Sequence, residues 1–227
     1  MARSREIVLP ESSAKVSILF PGYARTRVAS TVSFIEDGRF RAVVDPGMVP
    51  SPRSILEPLR RRGIRPEQVT DVILSHHHPD HTLNCALFPR AKVHDFWATY
   101  DKDEWVSVPA EGRRLAPSVV LLETPGHTPQ DVTTLVGTAE GVVALTHLWW
   151  NARGPTPDPV ASSEREHEHH RRRVIAVART ISRDTGLRSE SDREANSLKR
   201  VSSPGDRGRP KKARERGPLP KTGAPRS

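Results

Sequence analysis

The run of residues 76–81, which reads His-His-His-Pro-Asp-His, constrains this chain more than any other feature. Four of its side chains have the spacing His-x-His-x-Asp-His, and they directly follow residues 69–74, an apolar run that predicts a buried strand. Imidazoles and a carboxylate gathered in one loop at the end of a strand form a metal-ligand set. Neutral imidazole and carboxylate suit zinc, and a catalytic zinc leaves one position for water. The run therefore predicts a zinc site, with His77 at the variable position.

An exposed histidine-rich loop without a metal is the alternative interpretation of this run. Such a loop has no reason to carry an aspartate at a fixed place or to follow a buried strand, so the motif favours the metal site. Zinc makes water nucleophilic near neutral pH. Hydrolysis at this site would therefore need no reactive side chain.

The rest of the first 178 residues alternates between strand and helix patterns. Runs of β-branched and aliphatic residues predict strands at 16–20, 28–35, 40–44, 69–74, 119–123, 132–136 and 142–145. Asp37-Gly38 indicates a hairpin, Ser51 and Pro52 begin a helix, and residues 164–177 have helical composition. Strands with helices interspersed predict an α/β sandwich, in which two sheets pack face to face and helices cover the outside.

The last 49 residues differ in composition from the rest. Residues 179–227 contain fourteen Lys and Arg against six Asp and Glu, so they carry eight of the nine formal positive charges. They have no aromatic residue and are rich in Pro, Gly and Arg, which predicts a disordered tail. We therefore divide the chain into a domain at 1–178 and a basic tail at 179–227. Only the tail suggests nonspecific binding to nucleic acid.

The sequence also predicts the environment of the protein. A single cysteine, Cys85, excludes an internal disulfide, and no run reaches the roughly 18 apolar residues that a membrane helix needs. We expect a cytoplasmic protein without a membrane partner.

Four segments together resemble the metallo-β-lactamase superfamily over about residues 15–150. They are Val-Val-Asp-Pro-Gly at 43–47, the histidine run at 76–81, Thr-Pro-Gly-His-Thr-Pro at 124–129, and the strand pattern that ends at His147. Residues 86–89, His94-Asp95 and residues 124–136 are most similar to the subgroup of metallo-β-lactamase domain-containing protein 1. The resemblance implies a four-layer αββα sandwich.

The resemblance also implies roles for particular side chains. His76, His78 and His127 would bind a first zinc, and Asp80 and His81 a second. Asp80 would also orient or deprotonate the attacking water. Asp45 would support the loop and would not bind the metal.

Two departures from the family pattern weaken the second zinc site. His147 stands where the family has an aspartate that bridges both ions. It would either bind a single ion or lie beside the site as a hydrogen-bonding group, and both interpretations stay open. The family's last ligand histidine is missing, because His170 is the last histidine of the chain. We therefore expect a C-terminally incomplete fold with one firmly bound zinc. A shift of reading frame after the codon for Ala178 would explain both the missing ligand and the basic tail.

These observations predict a zinc-dependent hydrolase that uses metal-activated water on an ester, thioester, lactone or phosphodiester. The substrate, whether a small molecule or a nucleic acid, is not specified by the sequence. The competing function is an inactive remnant of the fold that binds nucleic acid through its tail, where residues 207–212 resemble an AT-hook. Residues 166–170, Glu-His-Glu-His-His, offer a further metal site in principle, but a solvated helix face is the expected interpretation.

Overall fold

A computed structural model describes residues 14–24, 26–149, 158–183 and 186–189 of the chain. In chain order the strands are β1 (Lys15–Phe20), β2 (Tyr23–Ala24), β3 (Val28–Ala29), β4 (Val32–Asp37), β5 (Phe40–Val44), β6 (Asp71–Ile73), β7 (Lys92–His94), β8 (Ala98–Asp101), β9 (Glu104–Ser107), β10 (Arg114–Ala116), β11 (Val119–Glu123), β12 (Val132–Thr138), β13 (Gly141–Leu145), β14 (Thr180–Arg183) and β15 (Gly186–Ser189). The helices are α1 (Arg53–Arg61), α2 (Pro79–Thr82) and α3 (Glu164–Ile175), with 3-10 turns at Pro66–Gln68 and Cys85–Leu87.

Two mixed sheets form the centre of the fold. The first sheet has the order β1-β4-β5-β6-β7-β8-β9, the second has the order β10-β11-β12-β13-β14-β15, and β2 and β3 form a separate hairpin. The predicted hairpin at Asp37-Gly38 is confirmed, since Asp37 pairs with Phe40 and Gly38 adopts a positive φ of 63°. Strands β5, β6 and β7 are parallel. The segments that follow β5 and β6 therefore emerge at the same edge of the first sheet.

Three apolar clusters show that the layers are helix, sheet, sheet and helix. The cluster between the sheets joins Ile35 and Ile73 of the first to Leu121 of the second. On the outer side of the first sheet, Ile55 and Leu59 of α1 pack against Phe34 and Val72. On the outer side of the second sheet, the buried residues include Leu122, Leu135, Ala144, Leu148, Trp149 and, from α3, Val174. The predicted αββα sandwich is thus confirmed.

The second sheet continues past the domain boundary that the sequence placed at 178. Strand β14 runs parallel to β13 after the crossover helix α3, and β15 pairs with β14. Ile181 is only 1% exposed, so it anchors β14 in the core. Residues 180–183 and 186–189, which we had assigned to the tail, therefore belong to the sheet. Residues 184–185 and 190–227 of the predicted disordered tail lie outside the described residues.

None of the described helices has the length and apolar character needed to cross a membrane.

Candidate metal centre

Three connections bring four buried histidines together at one end of the sandwich. His76 and His81 follow β6, with α2 beginning at Pro79 between them. His127 lies in the loop between β11 and β12, and His147 follows β13. All four are at least nine-tenths buried, with exposures of 1%, 1%, 5% and 7% in chain order. A buried group of imidazoles from three chain segments is the strongest functional feature of the described structure.

The ring nitrogens of His76, His127 and His147 lie close together, and His78 joins them. The Nε2 atoms of His76 and His127 each lie 3.0 Å from Nδ1 of His78. His76, His127 and His147 each offer one ligand atom, and these atoms lie within 4.8 Å of one another. The ring of His147 lies 4.3 Å from that of His127 and 4.6 Å from that of His76, measured between centroids. His147 is thus part of the cluster, which favours the interpretation that it is a ligand.

This arrangement fits a metal ion better than it fits hydrogen bonds alone. An imidazole nitrogen has one in-plane lone pair or one proton, so Nδ1 of His78 cannot make good hydrogen bonds to two neighbouring Nε2 atoms. Around a tetrahedral zinc, with Zn–N distances near 2.0–2.1 Å, ligand nitrogens lie about 3.3 Å apart. The 3.0 Å separations are close to that value.

Burial keeps the imidazoles of the cluster in the form that binds metals. Burial and the neighbouring histidines lower the pKa of His76 far below its ordinary value. Burial and His147 also lower the pKa of His127 to about 4, against the opposing effect of Asp158. Both imidazoles are therefore neutral at neutral pH, as ligand nitrogens must be.

Asp45 supports the loop of the histidine run through contacts with Ser75 and His81, as the resemblance implied. One carboxylate oxygen accepts a hydrogen bond of 2.7 Å from the backbone N–H of Ser75, and the other lies 3.0 Å from Nδ1 of His81. Asp45 adopts a positive φ of 52°, a conformation that few residues other than glycine take up. The Ser75 hydroxyl lies within 3.2 Å of Nδ1 of both His76 and His81. These contacts fix the ring orientations of two histidines.

Asp158 is a functional residue that the sequence reasoning missed. Its buried carboxylate lies 2.6 Å from Nδ1 of His127. A carboxylate in this place holds the Nδ1–H tautomer and directs Nε2 toward the cluster. Asp158 is 31 residues from His127 in the chain and belongs to no recognisable motif, so only the fold could reveal it.

We expect Asp158→Asn to weaken metal binding about 10- to 100-fold, because an amide holds the ring of His127 less firmly than a carboxylate and reduces its basicity. Competition with a chromophoric chelator measures the affinity. Asp101→Asn is the matched control, since Asp101 forms an exposed ion pair with Lys92 and should leave the affinity unchanged. Equal losses in both variants would contradict a specific role for Asp158.

The helix α3 packs directly against the loop that carries His127. A Cβ on Gly126 would come within 2.6 Å of the Cα of His167, so only glycine fits there. The expectation of a solvated face for residues 166–170 is right for Glu166, Glu168 and His169, which are exposed. It is wrong for His167 and His170, which are 0% and 8% exposed. The buried side of α3 also includes Arg171, whose Nε donates to the carbonyl of Leu148.

The remaining predicted site residues border the cluster. Asp80 has one carboxylate oxygen 3.5 Å from Nε2 of His81. His77, at the variable position, points elsewhere and lies 3.0 Å from the carboxylate of Asp95. All six predicted ligands thus lie at one place, and their binding of a metal stays a prediction.

A cleft with a volume of about 170 Å³ lies beside the cluster. Its floor contains His78, Asp80, His127 and His147. The β2–β3 hairpin contributes Tyr23, Ala24, Val28 and Ala29, and Val160 completes the lining.

The αββα layers and the buried histidine cluster beside a cleft define a class of protein with a candidate metal site at one end of a two-sheet sandwich. The family described as "Metallo-beta-lactamase superfamily" matches residues 25–168. The chain belongs to this superfamily.

Several curated relatives carry the name metallo-beta-lactamase domain-containing protein 1. The Xenopus laevis protein is 28% identical over 190 residues, which cover 76% of this chain and 80% of the relative. The Homo sapiens protein is 34% identical over 155 residues, which cover 64% of this chain and 58% of the relative. The resemblance to this subgroup is therefore confirmed.

Solved structures share the fold at low sequence identity. A Thermotoga maritima protein assigned as a metallo-β-lactamase has a TM-score of 0.62 at 19% identity, over 78% of this chain and 99% of that one. A dizinc quorum-quenching lactonase has a TM-score of 0.52 at 16% identity, over 70% and 74%. A protein in a di-iron-bound form has a TM-score of 0.55 at 19% identity, over 75% and 94%. These likenesses establish the fold.

Proposed function

We propose that this protein is a metal-dependent hydrolase of small molecules, with zinc as its metal. The observation that carries the proposal is the convergence of Nε2 of His76 and His127 on Nδ1 of His78 at the floor of a cleft. The substrates would be esters, thioesters, lactones or phosphodiesters. The structural relatives described as a dizinc lactonase and a di-iron protein support a site that takes zinc or iron.

Different residues of the chain would have separate roles in hydrolysis. When bound, zinc supplies Lewis acidity that acidifies water and polarises the scissile group. His76, His78 and His127 would hold the ion, and Asp158 keeps the ring of His127 in place. Asp80 lines the cleft, so its carboxylate can accept the proton of the attacking water and return it to the leaving group.

We further propose that one ion is firmly bound. An imidazole donates one nitrogen to one ion, whereas a carboxylate has two oxygens and can bridge two ions. With His147 in the cluster, the second position retains Asp80 and His81 without a bridging acid. The metal content of the purified protein should therefore be about one ion per chain.

Replacing His147 by aspartate should raise the metal content from about one toward two ions per chain, because the carboxylate restores a bridge between the two positions. Elemental analysis after gel filtration measures the stoichiometry. His147→Asn matches the aspartate in size but has no charge and should not gain the second ion. A gain in both variants, or in neither, would contradict the proposed reason for the single ion.

Metal-dependent turnover tests the hydrolase itself. Protein loaded with zinc is expected to hydrolyse 4-nitrophenyl acetate, to lose this activity on dialysis against a chelator, and to regain it when zinc is restored. Removal of residues 190–227 should leave the rate unchanged, since the site lies within the sandwich. Absence of turnover by the loaded protein over a panel of esters, lactones and phosphodiesters would defeat the proposal.

Nucleic-acid binding through the basic tail is the second candidate function. Eight of the nine formal positive charges lie in residues 179–227, and such a concentration favours phosphate contacts. Binding to a DNA duplex should then weaken steeply with salt and disappear when residues 190–227 are removed. Salt-independent binding, or binding that survives the deletion, would contradict a role for the tail.

A further inference from the structure

Three buried threonine hydroxyls form a continuous row across the second sheet. Oγ1 of Thr133 lies 2.9 Å from Oγ1 of Thr124 and 2.7 Å from Oγ1 of Thr146. Thr124 directly follows β11, Thr133 lies near the start of β12, and Thr146 directly follows β13. All three residues are buried. These residues, the threonine row, therefore connect three strands through side chains at the same end of the sheet.

Both ends of the threonine row begin a loop that carries a predicted ligand. Thr124 is three residues before His127, and Thr146 immediately precedes His147. The rings of these two histidines lie 4.3 Å apart, measured between centroids. Strands β11 and β13 do not pair with each other, because β12 lies between them. Thr133 on this middle strand thus links the starts of the two loops.

The start of β12 also contacts the connection that carries the histidine run. The backbone N–H of Val132 donates a hydrogen bond of 2.7 Å to the carbonyl of Ser75, the residue before His76. Thr133 follows directly on Val132, so two consecutive residues of one strand contact all three connections that carry the clustered histidines. This part of β12 can therefore set the distances between those connections.

The threonine hydroxyls have a role that packing alone does not explain. Valine has nearly the same shape as threonine, so it would fill position 133 but could not make either hydrogen bond. Thr124 and Thr146 would then be left with buried hydroxyls that have lost a shared partner. Buried polar groups are almost always hydrogen-bonded, so both residues would shift toward new partners and move the loops that they begin.

We propose that Thr133 is a positioning residue of the metal cluster. Its hydroxyl, shared between Thr124 and Thr146, fixes the spacing between the loops of His127 and His147. The inference rests on the metal binding in the proposed function and adds a determinant of its affinity. Thr133 acts on the ligands through its two neighbours and takes no part in the chemistry.

Thr133→Val should weaken zinc binding about 10-fold or more, the effect expected when a residue that orients a ligand is lost. Competition with a chromophoric chelator measures the affinity. Thr133→Ser keeps the hydroxyl and should restore most of the loss. A cost in stability alone would not change the affinity of protein that remains folded, because zinc binds the folded form. The visible absorption of the cobalt(II)-loaded protein, which reports the ligand geometry, should also change in Thr133→Val and not in Thr133→Ser.

Thr134→Val is the matched control for this substitution. Thr134 is the next residue of β12 and is also buried, at 2% exposed. Successive side chains of a strand point to opposite faces, so its hydroxyl lies on the other side of the sheet from the threonine row. The same exchange of hydroxyl for methyl should therefore leave the zinc affinity and the cobalt spectrum unchanged.

Measurements on the metal-free protein keep this inference distinct from the proposed function. The ring NMR signals of His127 and His147 should shift in Thr133→Val and stay in place in Thr134→Val. If the unmodified protein bound no zinc, the proposed function would fail and these signals alone would decide the inference. Should Thr133→Val not fold, Thr124→Val breaks the row at one end and should show the same losses.

Three results would overturn the role of Thr133. They are zinc affinity that Thr133→Val leaves unchanged, an equal loss of affinity in Thr134→Val or in Thr133→Ser, and histidine signals that Thr133→Val does not shift.

Discussion

His76→Ala is expected to abolish stoichiometric metal binding and to reduce turnover to the level of the metal-free protein. His76 lies at the centre of the cluster, with ring centroids 4.1–4.9 Å from those of four other histidines, His78, His81, His127 and His147. Loss of a supporting residue such as Asp158 costs about 10- to 100-fold in affinity, so loss of a direct ligand should cost more than about 100-fold. Metal content after gel filtration and chelator competition measure both effects.

His169→Ala is the matched control for this substitution. His169 is an exposed histidine of α3, so the variant loses the same side chain without touching the cluster. Its metal content and activity should equal those of the unmodified protein. Because alanine at position 76 could also loosen the buried loop, the free energy of unfolding of both metal-free variants must be compared. A folded His76→Ala protein that retains its metal would contradict the assigned site.

The histidine cluster was predictable from the sequence because most of its residues lie in short motifs. The histidine run contributes two buried rings, and the Thr-Pro-Gly-His segment contributes His127 in a glycine-containing loop. The role of His147 was harder to predict, because a single histidine after a strand is not part of a ligand-spacing motif. Its position became clear only when β13 was placed beside β12, which puts the end of β13 near the loop of His127. Asp158 had no local signal, because its partner is distant in the chain.

The parts of the fold that the sequence mispredicted share a physical cause. The charge-rich sequence of α3 indicates a solvated helix, yet His167, His170, Arg171 and Val174 fall at intervals of three, one and three residues and form one buried side. Polar side chains can be buried when partners satisfy them, as Glu164 and the Leu148 carbonyl do for Arg171. Likewise, residues 179–227 are so rich in basic residues, Pro and Gly on average that their composition did not indicate the short strand around Ile181.

Gly47 allows the Asp-Pro-Gly segment after β5 to pack closely against the backbone of the histidine run. A Cβ at Gly47 would overlap the carbonyl group of Asp80 and the backbone nitrogen of His81. The same carbonyl of Asp80 accepts a hydrogen bond of 3.2 Å from the N–H of Met48, and the side-chain amide of Asn84 donates one of 2.6 Å to the carbonyl of Gly47. The two segments thus pack backbone against backbone, and this contact fixes the position of the histidine loop in the site.

Gly47→Ala should therefore lower the free energy of unfolding by about 3 kcal/mol or more, because the methyl group has no space unless the histidine loop moves. The displaced loop should also bind metal more weakly, so metal content and urea unfolding should change together. Gly38→Asn is the control, since a Cβ there meets nothing within 4 Å and asparagine tolerates the φ of 63° at a cost of about 1 kcal/mol or less. If Gly47→Ala unfolded with unchanged free energy and retained its metal, the contact between the two segments would not be what positions the site.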